Sequence, residues 1–177
     1  SLGEFAMRDV LTDISTLEGY DELEKSVYKE LMIPHQYNGK CYGFPETMNF
    51  WVMIYRKDIL SDLKVSLPDT WEEIYRGTLP ILLQNNMEFY LPLSTGWDLY
   101  QRGGTLYNDD LTECALNTPA AFDAFDELCN LVKKYGFNTS ANFFNRFRSG
   151  EMPIGIADMT TYMQILTAAP ELNGRWD

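Results

Sequence analysis

Residues 37–60 read YNGKCYGFPETMNFWVMIYRKDIL, and this stretch restricts the possible folds more than any other. Asn38-Gly39 is a turn signal, because Gly permits and Asn tolerates the positive φ that tight hairpin turns require. A short aromatic strand is expected over 41–44, ended by Pro45, which has no N–H to give to a ladder. After the polar break Glu46-Thr47, residues 50–55 are apolar and β-branched enough for a fully buried strand. Two strands joined by a proline-broken polar crossing suit a segment that passes between layers or lobes and shows polar side chains to a cleft.

The punctuation on either side predicts alternating helices and short strands. Residues 20–32 read as a helix with Leu23, Val27, Tyr28 and Leu31 on one face, stopped by Pro34. A short helix is expected over 56–63. Thr70 and Glu73 then form a capping box around Trp71, whose role is to anchor its helix, with Pro80 kinking the turns that follow. Residues 88–91 read as a strand, Pro92 as the opening of a helix through Trp97 and Tyr100, and Gly103-Gly104 as its cap. Asn108-Asp109-Asp110 is a hairpin signal between 106–107 and 111–116. Thr118-Pro119 opens a helix ended before Gly136, with Phe122, Phe125, Leu128, Cys129 and Val132 as its core face. A short helix over 142–148, a buried strand over 152–157 and a helix over 159–168 capped by Asp158 complete the pattern. Residues 170–176 lead out toward a further strand. The fold class is therefore α/β, a small central sheet flanked by helices.

Composition excludes several functions. The chain has 26 acidic and 14 basic residues, a net charge of −12, and its lysines and arginines form no cluster beyond Lys133-Lys134. Nucleic acid and anionic membrane need a basic face and are excluded as partners. An apolar fraction of 45% supports one well-buried domain. Cys41, Cys114 and Cys129 lack metal-ligand spacing and read as buried thiols, so no metal or cofactor is expected. His35 lies alone in a loop, no serine has a nucleophile-elbow context, and Glu46 with Asp158 is the best carboxylate pair for a hydrolase.

Several spaced motifs resemble those of the extracellular solute-binding proteins of ABC importers, the sugar-binding, maltose-binding-protein-like group. They are Tyr37-Asn38-Gly39-Lys40, Tyr42-Gly43-Phe44-Pro45 and Ile54-Tyr55-Arg56-Lys57-Asp58-Ile59-Leu60; Pro68 to Glu73; Phe144 to Met152; and Pro170 to Trp176. The resemblance runs from about residue 11 onward and implies a fragment that is mainly the second of two lobes. In that arrangement residues 1–40 are a lead-in associated with the other lobe and 41–49 the hinge crossing. It implies a periplasmic-binding-protein type II lobe that binds a carbohydrate, an oligosaccharide, without catalysis. The implied partners are that ligand, the permease subunits of an ABC importer and the missing first lobe. The implied location is extracellular or periplasmic, with a lipid anchor lying outside this chain.

Sugars are held by aromatic faces and directional polar side chains in a concave site. The candidates of those kinds near strand ends are Asn49, Glu88, Tyr90, Trp97, Asp158, Thr160 and Tyr162, with Trp51 as a weaker one. Asn49 stands where the maltose-binding member presents a ligand-contacting carboxylate. Two other readings remain open: a protein-interaction or sensory module without a small ligand, and a carbohydrate-active hydrolase.

Overall fold

A computed structural model of the chain describes residues 2–110 and 112–177. The chain forms two compact units, Ser1–Met48 and Asn49–Asp177, divided at the end of the segment read from sequence as a crossing.

In the first unit, helix α1 (Leu2–Met7) has no counterpart in the sequence reading. The single helix expected over 20–32 is two short ones, α2 (Tyr20–Glu24) and α3 (Lys29–Met32). The break has a local cause: the Ser26 hydroxyl donates to the Leu23 carbonyl at 2.6 Å, and Tyr28 is extended. Pro34 sits inside a 3-10 turn, Ile33–His35, in place of a clean stop. Strands β1 (Gln36–Tyr37) and β2 (Lys40–Cys41) pair antiparallel across Asn38-Gly39, whose φ values of 49° and 73° are those of the expected turn. The strand expected over 41–44 is thus only its first residue. The Asp13 carboxylate fixes this hairpin by accepting from the Cys41 N–H at 3.1 Å.

The second unit is built on a three-stranded sheet in the order β3-β5-β4, where β3 is Trp51–Tyr55, β4 is Phe89–Tyr90 and β5 is Ile154–Asp158. β5 runs antiparallel to β3 and parallel to β4. The central strand is the buried one. β3 lies at the side, with Ile54 its fully buried residue, and Val52 on one face and Met53 and Tyr55 on the other are half-buried against the core. The last residues run beside its other edge: Tyr55 and Asp177 exchange backbone hydrogen bonds at 2.8 and 3.0 Å, and Arg56 bridges Trp176. Gly155 is dictated by packing, because a Cβ there would lie 2.5 Å from that of Tyr90 on the adjacent strand.

Helix α4 (Lys57–Leu63) follows β3, and α5 (Trp71–Glu73) begins at the Thr70 cap. The Thr70 hydroxyl accepts from the Glu73 N–H at 3.2 Å, while the Glu73 carboxylate reaches back to the Asp69 N–H at 2.7 Å, one residue beyond the usual box. A π-helical turn, Ile74–Thr78, absorbs Pro80, which stands at the start of α6 (Leu79–Gln84). Helix α7 (Thr95–Gln101) starts at the Ser94 cap, not at Pro92, and ends in a Schellman motif: the Gly104 N–H donates to the Leu99 carbonyl and the Gly103 N–H to that of Tyr100. The expected hairpin near 108–110 is reduced to a single bridge between Tyr107 and Cys114; Leu111, read as the start of its second strand, lies outside the described residues.

Helix α8 (Pro119–Lys133) opens at Thr118 as expected, but its buried residues are Ala124 and Leu131. Phe122 and Phe125 are 60% and 58% exposed, and Val132 is also at the surface. The face that is buried packs against α7 near Ala124 and joins the core of Leu82, Phe89 and Ile154 at Leu131. Helix α9 (Phe143–Ser149), strand β5 and helix α10 (Met159–Ala168) lie where the sequence places them. Of the cysteines only Cys41 is buried; Cys114 is exposed.

Candidate functional site

The β3–β5 register sets Trp51 opposite Asp158 and Met53 opposite Ile156. Alternate residues share a face, so Trp51, Met53, Ile156 and Asp158 lie on one side, with Val52, Ile54 and Ala157 on the other. Asn49 joins the same end. Its amide donates from Nδ2 to Asp158 Oδ2 at 3.1 Å, and its Oδ1 accepts the Met159 N–H at 3.0 Å. Asp158 Oδ1 caps α10 by accepting the Thr161 N–H at 2.8 Å and the Thr161 hydroxyl at 2.7 Å. The Thr161 amide foremost, then the Thr161 hydroxyl and the Asn49 amide, hold the Asp158 carboxyl below the usual carboxylate range. It is ionised at neutral pH and keeps spare acceptor capacity.

Beside this polar clasp is an aromatic groove. Trp51, 49% exposed, meets Trp97 at a centroid distance of 4.5 Å and an interplanar angle of 60°. With Trp71, Gln101 and Ile156 they line a hollow of about 300 Å³. The Trp71 Nε1–H donates to Gln101 Oε1 at 3.1 Å, which orients the Gln101 amide and leaves its NH₂ group without a partner among the described residues. Indole faces suit the C–H faces of a sugar ring, and a carboxylate with amides at one end suits its hydroxyls.

The structure therefore gathers Asn49 and Asp158 in one clasp, with Trp51 and Trp97 alongside. Tyr90 pairs with Gly155 on the opposite sheet face and stacks on Phe143 at 4.5 Å; burial, then the charge of Asp158, pushes its hydroxyl pKa up. Thr160 is exposed in the first turn of α10, whereas Tyr162 packs edge-on against Trp176 at 5.1 Å. Glu88 is not gathered with them. Arg146 holds both its oxygens at 2.8 and 3.0 Å and keeps its carboxyl below the usual range, and the Glu88 N–H donates to the Glu151 carbonyl. That places it at the opposite end of β5 from Asp158, about 16 Å away at the ordinary strand rise. Trp71 and Gln101 were missed from sequence. The available signal was the i, i+4 spacing of Trp97 and Gln101, which puts an indole and an amide on one helix face.

Among the described residues no cluster of His, Cys, Asp and Glu could hold a metal ion, and no helix is long and apolar enough to cross a membrane.

The sequence pattern of the bacterial extracellular solute-binding proteins matches residues 1–176. No curated protein sequence matches the chain. Among solved structures, an ABC transporter solute-binding protein from Thermotoga lettingae bound with α-D-tagatose superposes with a TM-score of 0.80 at 21% identity, covering 98% of this chain and 49% of that one. The GacH receptor of Streptomyces glaucescens, solved unliganded and with acarbose, gives 0.81 at 19% identity over 99% and 48%. An ABC substrate-binding protein from Listeria monocytogenes in complex with cycloalternan gives 0.77 at 23% identity over 99% and 48%. The chain has the fold of these periplasmic-binding-protein-like molecules and spans about half their length.

Proposed function

This chain belongs to the bacterial extracellular solute-binding proteins, and we propose from that premise that it is one lobe of a receptor that captures a carbohydrate, an oligosaccharide, for an ABC importer. Residues 41–49 act as the crossing to the other lobe and residues 1–40 belong with that lobe. Ligand binding closes the two lobes, and the closed form is what the permease subunits read. The protein works outside the cytoplasm, tethered by a lipid anchor.

The observation that carries the sugar reading is the placement of the Asn49–Asp158 clasp beside the groove of Trp51, Trp71 and Trp97. Asp158 accepts through its remaining lone pairs, Gln101 donates, and Trp51 and Trp97 supply flat apolar surface. Sugars in complex with three structurally similar proteins agree with this chemistry.

The site also argues against hydrolysis. A glycosidase acid needs a raised pKa to deliver a proton at neutral pH, whereas Asp158 is held low by its hydrogen bonds.

Titration of tryptophan fluorescence with a panel of neutral oligosaccharides tests the reading. One lobe supplies only part of the contacts, so this chain is expected to bind with a Kd on the order of millimolar, and a two-lobed version about a hundredfold or more tighter. Trp51→Ala weakens both by about tenfold. Micromolar binding by this chain alone refutes the two-lobe account, and unchanged binding in Trp51→Ala refutes the groove.

A further inference from the structure

Helix α8 turns an apolar stripe outward. Phe122, Phe125, Cys129 and Val132 recur at the three- and four-residue spacing of a helix–helix seam, yet Phe122 and Phe125 are more than half exposed. With Leu99, Leu106, Leu116 and Ala121 the two phenylalanines line a groove of about 420 Å³. It belongs to a different part of the unit from the Asn49–Asp158 clasp and shares no lining residue with the aromatic hollow beside it. Exposed contiguous apolar surface of this kind marks an interaction site.

The charges around it select the occupant. Asp123 and Asp126 flank the stripe on α8, and Asp109, Asp110 and Glu113 stand on the loop between Leu106 and Leu116. All five are exposed and none makes an ion pair among the described residues, in contrast to Asp98 of α7, which Arg102 holds at 2.7 Å. A second copy of the chain would bring two such acidic rims together, and like charges at an interface oppose association. An apolar groove with a net acidic rim, in which only Asp123 feels a nearby cation, Arg102, that Asp98 already holds, fits a segment that offers apolar anchors on one face and lysine or arginine beside them. We propose that the α8 groove docks an amphipathic basic helix of a partner protein, laid along Phe122 and Phe125 with its cations over Asp123, Asp126 and Glu113.

Two synthetic helical peptides with the same leucine face, one otherwise lysine and one otherwise glutamate, provide the probe. Anisotropy of each labelled peptide is followed as the 177-residue chain is added. The lysine peptide is expected to bind at least about tenfold tighter than the glutamate peptide, and less tightly as salt rises from about 0.05 to 0.5 M. Phe122→Ser with Phe125→Ser, and separately Asp123→Asn with Asp126→Asn, each weaken it by about tenfold. The second pair alters no apolar contact, so the result stands even if the first pair fails to fold. Equal affinity for both peptides, or indifference to both pairs of substitutions, overturns the proposal. So does self-association of the chain that the phenylalanine substitutions abolish, which assigns the groove to a second copy. Loss of peptide binding in a polypeptide as long as the solved relatives also overturns it, because the groove is then filled from within.

Discussion

Asn49 engages both ends of its amide, toward the Asp158 carboxylate and the Met159 N–H, so it splints the start of β3 to the start of α10. Asn49→Ala removes two exposed hydrogen bonds and is expected to cost about 1 kcal/mol in urea unfolding. Asn49→Asp is more informative, because it sets a second carboxylate against Asp158, where the two share a bond of 3.1 Å in the native clasp. Repulsion then raises the folded-state pKa of the pair above its unfolded value. A raised pKa gives stability that is present at low pH and lost as pH rises through it. The melting temperature of Asn49→Asp should therefore approach the native one near about pH 4 and fall away from it toward neutrality. A gap of constant size across that range would show that the two side chains are not in contact. The amide at this position was legible as a polar group at a strand end, but its partner was not, since 109 residues separate the two and only the β3–β5 register joins them.

Elements were readable where local chemistry decides them. The Asn38-Gly39 turn and the caps at Thr70, Thr118 and Asp158 each rest on contacts within a few residues, and each formed. What sequence could not supply was the direction in which an element faces. The apolar stripe of α8 reads as core because periodicity reports that a helix has an apolar side, not which side its neighbours, α7 among them, can accept. Packing against Ala124 and Leu131 settles that choice. Leu131→Ala should accordingly cost about 2–4 kcal/mol in urea unfolding, whereas Phe125→Ser should change stability by no more than about 0.5 kcal/mol. The reverse order would mean that the phenylalanine face is the buried one. Trp71 shows the same limit at the site: its capping position is local and was seen, while its place beside Trp51 and Trp97 depends on how three separate elements meet.

At the scale of the molecule, acid stability follows from a few carboxylates among many. The net charge of −12 means that most acidic side chains repel one another, and protonating those relieves the folded state. Five work the other way, the exposed Asp13 and Glu171 among them. Asp58 is held below the usual range by Arg56, which is itself buried and also donates to the Phe147 carbonyl; Glu88 is held by Arg146 and Asp158 by the Thr161 amide. Each has a folded pKa depressed below its unfolded value, so each contributes stability that is complete above about pH 5 and lost as pH falls through the folded pKa. Stability should therefore hold level from about pH 5 to 8 and decline below about pH 4, despite the relief of general repulsion. Glu88→Gln isolates one share of that decline, because it removes the carboxylate that accepts both guanidinium nitrogens and leaves Arg146 with Glu151 alone. Urea unfolding of the variant should show a deficit at neutral pH that closes as the native protein protonates Glu88. A deficit that persists unchanged at low pH would mean that the glutamate acts through packing, and that the Arg146 pair does not hold the N-terminal ends of β4 and β5 together by charge.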